Sequence, residues 1–330
     1  MNHGVLAPWF FIMNTQIKSF IAIFSFLTVY LTIVFVFNNI LTVYLGWPGI
    51  EALLKPFKSL STTQIILSSL QWLSYILIVA YCFYSGYKIN NSKILDYSNT
   101  FSNFSSYVAR SAFWTIFLIG VVDVIISLLV SEKILDYFLS GTALNFFTKP
   151  SSRVLYIHLP LACIGFIIGY IKKTPGFIWF ATLVVFAETA IVITRYVFYY
   201  EQAFMGDLVR LWYAAIFLFS SGYTLLKDGH VRVDILYVKF SEKGKAIANI
   251  AGSILFGIPL CALTLFFGLQ GRTSIINAPV LSFEITQQGV SGMYIKYLLA
   301  AFLAIFAITM IFQFASLILT SLNQILKRTS

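Results

Sequence analysis

Few residues in this sequence are placed where they can do chemistry, and most of those lie inside long apolar runs. Asp123 and Glu188 interrupt stretches of Ile, Leu, Val and Phe, and Arg195 follows Glu188 by seven positions. On a helix, a seven-residue step falls about 20° short of two turns, so Glu188 and Arg195 share a face about 10 Å apart. That separation is too long for a direct pair. Arg195 can reach the headgroups with its long side chain, whereas Glu188 must find a partner on another helix or remain protonated. Ionisable groups at bilayer depth suggest a proton or ion relay. A relay, however, needs several polar groups converging at one depth. The sparse set Asp123, Glu188 and Arg195 fits interhelical hydrogen bonding better.

Other chemistries find less support. His3, His158 and His230 have no ligand-spaced partners, and Cys82, Cys163 and Cys261 are scattered through apolar stretches. They read as packing residues rather than as disulfide or metal ligands, and His158 reads as a hydrogen-bonded residue at the edge of its span. No nucleophile motif, phosphate loop or HExxH-type pair occurs, so no catalytic residue, metal or cofactor is expected. Gly165 and Gly169 form a small-xxx-small pattern of the kind that lets helices approach closely, within a dimer for example. Glu201, Asp207 and Arg210 flank Phe204 and Met205 and suit a short amphipathic turn at the outer surface.

The elements that position these residues are set by composition. Of 330 residues, 59% are apolar and 10% are charged, against the roughly 25% charge of soluble domains. A secreted disulfide scaffold, a cytosolic enzyme and a nucleic-acid binder are excluded, and lipids become the first expected partners. Eight stretches are long enough to cross the bilayer as helices: Phe20–Tyr44, Ile65–Tyr87, Ser111–Val130, Val154–Ile171, Gly176–Tyr199, Leu208–Leu226, Ala246–Leu269 and Ile295–Leu322. The first is too long for a cleavable signal. Asn90–Ser106 and Ser131–Arg153 read as long polar connections, and Gln270–Tyr294 as a long outer segment. Pro160 and Pro259 are the prolines well inside spans.

With the N-terminus inside, thirteen of the 22 Lys and Arg residues fall on the inner side, five of them in the 227–245 loop. Nine fall outside, Arg153 among them; Arg110 is counted inside. The positive-inside bias therefore places both termini in the cytoplasm. The expected fold is all-α, a polytopic membrane bundle of about eight helices. Lys172 to Pro175 marks the expected boundary between a four-helix module (1–173) and a second four-helix domain (174–330).

The inner loop from Leu226 to Tyr237 reads LKDGHVRVDILY. It resembles the Gly-His-(Ile/Val)-Arg-Val-Asp signature of the DctQ-type small permease subunits of tripartite ATP-independent periplasmic (TRAP) transporters. Glu188 and the Thr194 to Phe198 stretch resemble the end of that family's first helix. The resemblance covers roughly 175–325, leaving residues 1–173 outside the family's core. The outer segment 270–294 lacks a Trp found in many members.

The resemblance implies a four-helix subunit with both termini inside that braces a large permease, in the bacterial inner membrane. A periplasmic solute-binding protein captures an organic acid, and the permease carries it inward, commonly by symport with sodium. Gly229, His230, Val231, Arg232 and Asp234 are then a structural turn or subunit contact, with Gly229 free to adopt a turn that other residues resist. A self-sufficient carrier or channel is the alternative. An integral-membrane transferase using Asp123 or His158 is a weaker one, because it would need polar residues clustered at one interface.

Overall fold

The computed structural model describes residues 8–54, 60–172, 177–226, 237, 239–285 and 292–327, with side chains described from Gln16 onward. Its described elements are helices, and eight of them are long and apolar enough to span a bilayer: α1 (Gln16–Tyr44), α2 (Thr62–Tyr87), α3 (Asn91–Ser131), α4 (Pro150–Ile171), α5 (Ile178–Val197), α6 (Ala203–Leu225), α7 (Glu242–Leu269) and α8 (Lys296–Lys327). All eight expected spans are thus present. The boundary residues Lys173 to Pro175 lie outside the described residues.

The chain packs into two compact units, and α3, α7 and α8 each contribute to both. Unit 1 contains α1, α2, the start of α3, α7 up to Leu263 and α8 from Met310. Here the segment expected as a polar connection, Asn90–Ser106, is instead the first half of an uninterrupted α3. Its serines do not break the helix, because their hydroxyls find acceptors on a neighbour. Ser98 Oγ donates to the Ser316 carbonyl (2.8 Å) and lies 2.7 Å from Thr320 Oγ1. Beside them Phe26 packs edge-on against Tyr97 and Phe101. A Ser61–Gln64 capping box starts α2. The Gly86 position, where a Cβ would meet the Ile23 backbone at 2.9 Å, lets α2 lie directly on α1.

Unit 2 contains the rest of α3, then α4, α5, α6 and residues 264–309. Its core gathers Phe113, Ile116, Phe180, Leu211, Trp212, Phe219 and Phe302 from α3, α5, α6 and α8. Much of the expected outer connection 131–153 is two short helices, Ile134–Phe138 and Thr142–Thr148, with Pro150 at the first turn of α4.

Pro160 and Pro259 share one solution. Each follows a five-residue π segment, Val154–His158 and Ser253–Gly257. The wider turn absorbs the amide that proline cannot supply, so neither helix breaks.

Gly165 and Gly169 act within the chain. A Cβ on either would sit 2.6–2.8 Å from the backbone nitrogens of Thr115 and Ser111 on α3. The small-xxx-small face is therefore filled by an internal α3–α4 contact and is not open for a dimer.

Candidate functional site: a buried ion cluster and an open helix face

Residues Ile116, Ile119, Asp123 and Ile126 of α3 recur at three- and four-residue steps and face inward. Asp123 is fully buried, and such a carboxylate must be paired and hydrogen-bonded. Arg153 Nε lies 2.5 Å from Asp123 Oδ1 and His158 Nε2 lies 2.8 Å from the same oxygen. The amide of Tyr294 donates to Oδ2 at 2.9 Å. The Arg153 Nε–H is not aimed along a hydrogen bond; the directed bonds run from Nη2 to the Asp123 carbonyl (2.8 Å) and to Ser127 Oγ (2.7 Å).

The charge pair is thus clamped to α3 at three points. The guanidinium also covers the Tyr294 ring, with Cζ 4.4 Å from its centroid. Because an ionised carboxylate only accepts, His158 Nε2 donates to it, and Nδ1 shares a hydrogen bond with Tyr297 Oη at 2.8 Å.

Arg153 and His158 meet because of the π segment between them. Five residues on a regular α-helix diverge by about 140°. The i→i+5 geometry of Val154–His158 closes that angle and aims both side chains at one carboxylate. Arg153, expected among the outer charges, is instead 1% exposed. Arg110, counted among the inner-side charges, is within α3, where its Nε donates to the Gly169 carbonyl.

A second buried carboxylate completes the arrangement. Asp207, expected on a surface turn, is fully buried on α6 and accepts the Met293 amide at 3.0 Å. Its other oxygen meets the half-exposed guanidinium of Arg210 at 3.3 Å. The consecutive amides of Met293 and Tyr294 are therefore held by carboxylates from two different helices, immediately before α8 begins at Lys296. Glu284 secures the same end, taking Lys296 Nζ at 2.7 Å and the Tyr297 amide on its carbonyl at 3.1 Å.

This cluster is built to hold rather than to react. Its charges are neutralised and its polar atoms are turned toward one another. Among the described residues no three His, Cys, Asp or Glu side chains gather as a metal site.

Glu188 is placed differently. It is exposed at the centre of α5, about 14 Å below Val197 at about 1.5 Å per residue. Among the described residues it has neither an ion-pair nor a hydrogen-bond partner. Arg195, on the same face, pairs at the surface with Glu201 at 3.2 Å. The structure thus brings together Asp123 and His158 and keeps Glu188 and Arg195 apart from them.

Gly229, His230, Val231, Arg232 and Asp234 lie outside the described residues. The chain is described again at Tyr237, whose hydroxyl donates to Asn249 of α7 (3.1 Å). Ser241 caps the start of α7 through the Gly244 amide.

Sequence reasoning missed Arg153, Asp207, Tyr294 and Tyr297 as members of the cluster. The one signal was the position of Arg153 and Asp207 within a few residues of span ends, where a charge turns either outward to water or inward to a partner.

Residues 181–322 match the family model of the DctQ component of tripartite ATP-independent periplasmic transporters. Comparison with curated proteins and with solved structures gives no match.

Proposed function

We propose that this chain, a multi-pass membrane protein whose residues 181–322 are a DctQ domain, braces the large permease of a TRAP importer in the bacterial inner membrane and docks its periplasmic binding protein. The cargo of this reading is an organic acid or a related small solute, carried by the large subunit in symport with an ion. Both termini face the cytoplasm, as the excess of Lys and Arg on that side favours.

The family match carries the reading, and the ion cluster supports it. A transport domain that moves needs a frame that does not. Asp123, Arg153 and His158 close on one another and on the residues that lead into α8, an arrangement that resists motion. The same contacts give residues 1–173 a role. Through Tyr294 and Tyr297 they fasten the added helices to the DctQ domain. Gly229, His230, Val231, Arg232 and Asp234 form a cytoplasmic contact to the large permease in this reading.

The test is reconstitution. Liposomes holding this chain and the large permease, supplied with the binding protein, should take up solute, whereas liposomes with this chain alone should not. Uptake by the chain alone would establish the self-sufficient carrier instead. Arg232→Ala should lower co-purification with the large permease and leave membrane insertion unchanged.

A further inference from the structure

Helix α5 has one packed face and one open face. Phe180 and Val184 are buried in the core of unit 2, with Ala187 and Ile191 packed beside them. Around the helix from these, Ala181, Val185, Glu188, Val192 and Arg195 are all exposed. Their spacing alternates four and three residues, the seam of a helix that packs lengthwise against another. Of the eight spans α5 is the least buried and α8 the most. Lipid can cover an apolar seam. It offers nothing to a carboxylate, and Glu188 stands at the middle of this one, where an uncompensated charge is costly. At the outer end of the seam, Arg195 is already neutralised by Glu201.

We infer that the Ala181–Arg195 seam of α5 docks a transmembrane helix of the large permease, and that this helix carries a basic side chain at mid-depth opposite Glu188. The inference rests on the reading of this chain as a TRAP small subunit and names the face that reading leaves open. The occupant follows from the chemistry. A second copy of this chain packed seam to seam would set Glu188 against Glu188, so self-association is disfavoured. A helix with a Lys or Arg at that depth satisfies the carboxylate and the knobs-into-holes spacing together. Small and β-branched residues on the seam allow the close approach that such packing requires.

The experiment uses the full chain co-expressed with the large permease. A photo-crosslinking benzophenone side chain at Val185 or Val192 should join the permease, while one at Phe186, exposed about 120° round the helix from the seam, should not. Glu188→Leu should lower permease recovery about tenfold, the scale of one interhelical polar contact in a membrane. The crosslinks are read with Glu188 intact, so they decide the matter even where that variant folds poorly. Crosslinks from Val185 and Val192 to lipid or to a second copy only, or unchanged recovery of a folded Glu188→Leu, overturn the inference while the subunit reading stands. Failure of the unaltered chain to recover any permease sinks that reading, and the inference with it.

Discussion

Arg153 and His158 reach the same carboxylate oxygen, Asp123 Oδ1, from the two ends of one π segment. Each alone would leave the carboxylate half-satisfied. Together with the Tyr294 amide they make a closed set, and closed sets of buried charge fail as a unit. Arg153→Met removes the guanidinium from the buried Asp123 carboxylate and should destabilise the protein by about 3–5 kcal/mol. Asp123→Leu strands the guanidinium and should cost a similar amount, while the double variant should cost far less than the sum. Thermal unfolding of the four proteins in nanodiscs measures the coupling; additive losses would mean that the pair contributes nothing.

Two helix glycines should respond to alanine with opposite signs. At Gly165 a Cβ would lie 2.6 Å from the Thr115 amide nitrogen, with backbone that cannot swing aside. Gly165→Ala should push α3 and α4 apart at a cost of about 1–3 kcal/mol. At Gly252 nothing lies within 4 Å of the added carbon, so Gly252→Ala gains helix propensity and should stabilise by about 0.5–1 kcal/mol. Melting temperatures moving in the same direction would refute the close-packing account of Gly165.

What was legible in the sequence was set by solvent. Lipid demands long apolar helices, and all eight spans were readable from runs of Ile, Leu, Val and Phe. Tertiary partners were not readable. The serines at 98 and 105 resembled a loop because hydroxyls favour turns, until Ser316, Thr320 and Thr309 supplied acceptors across a helix pair. Arg153 looked like a loop charge because spacing rules assume 3.6 residues per turn, and a π segment violates that assumption locally. Asp207 looked superficial because an acidic residue at the edge of an apolar run is ordinarily solvated. The backbone amide that holds its carboxylate comes from Met293, 86 residues further along the chain, and no local pattern announces it.

Tyr200, in the short connection between α5 and α6, donates its hydroxyl to the Glu132 carboxylate. Burial first, and then the neighbouring carboxylate, push its phenol up to about 12. The folded state thus holds this proton more tightly than an unfolded chain, where tyrosine loses it near pH 10. The contribution is complete below pH 10 and fades as the pH rises through about 12. Tyr200→Phe should therefore be less stable than the unaltered protein by a small, constant amount from pH 7 to 10, since the pair is surface-exposed. The two should converge by about pH 12. A difference that persists unchanged above that pH would exclude the hydrogen bond as its source.

The orientation proposed from the charge bias is open to direct labelling. The segment after α6 carries Lys239, Lys243 and Lys245 close together, and basic residues flanking a span stay on the cytoplasmic side because their translocation is disfavoured. Ser241 caps α7 at that end, and Ser274 lies in the connection beyond its other end. With Cys82, Cys163 and Cys261 replaced by alanine, Ser274→Cys should react with a membrane-impermeant maleimide on intact spheroplasts. Ser241→Cys should react only after the membrane is opened. The reverse pattern would place the basic connector outside. It would remove the Gly229 to Asp234 segment from any cytoplasmic contact and leave the charge bias without its ordinary cause.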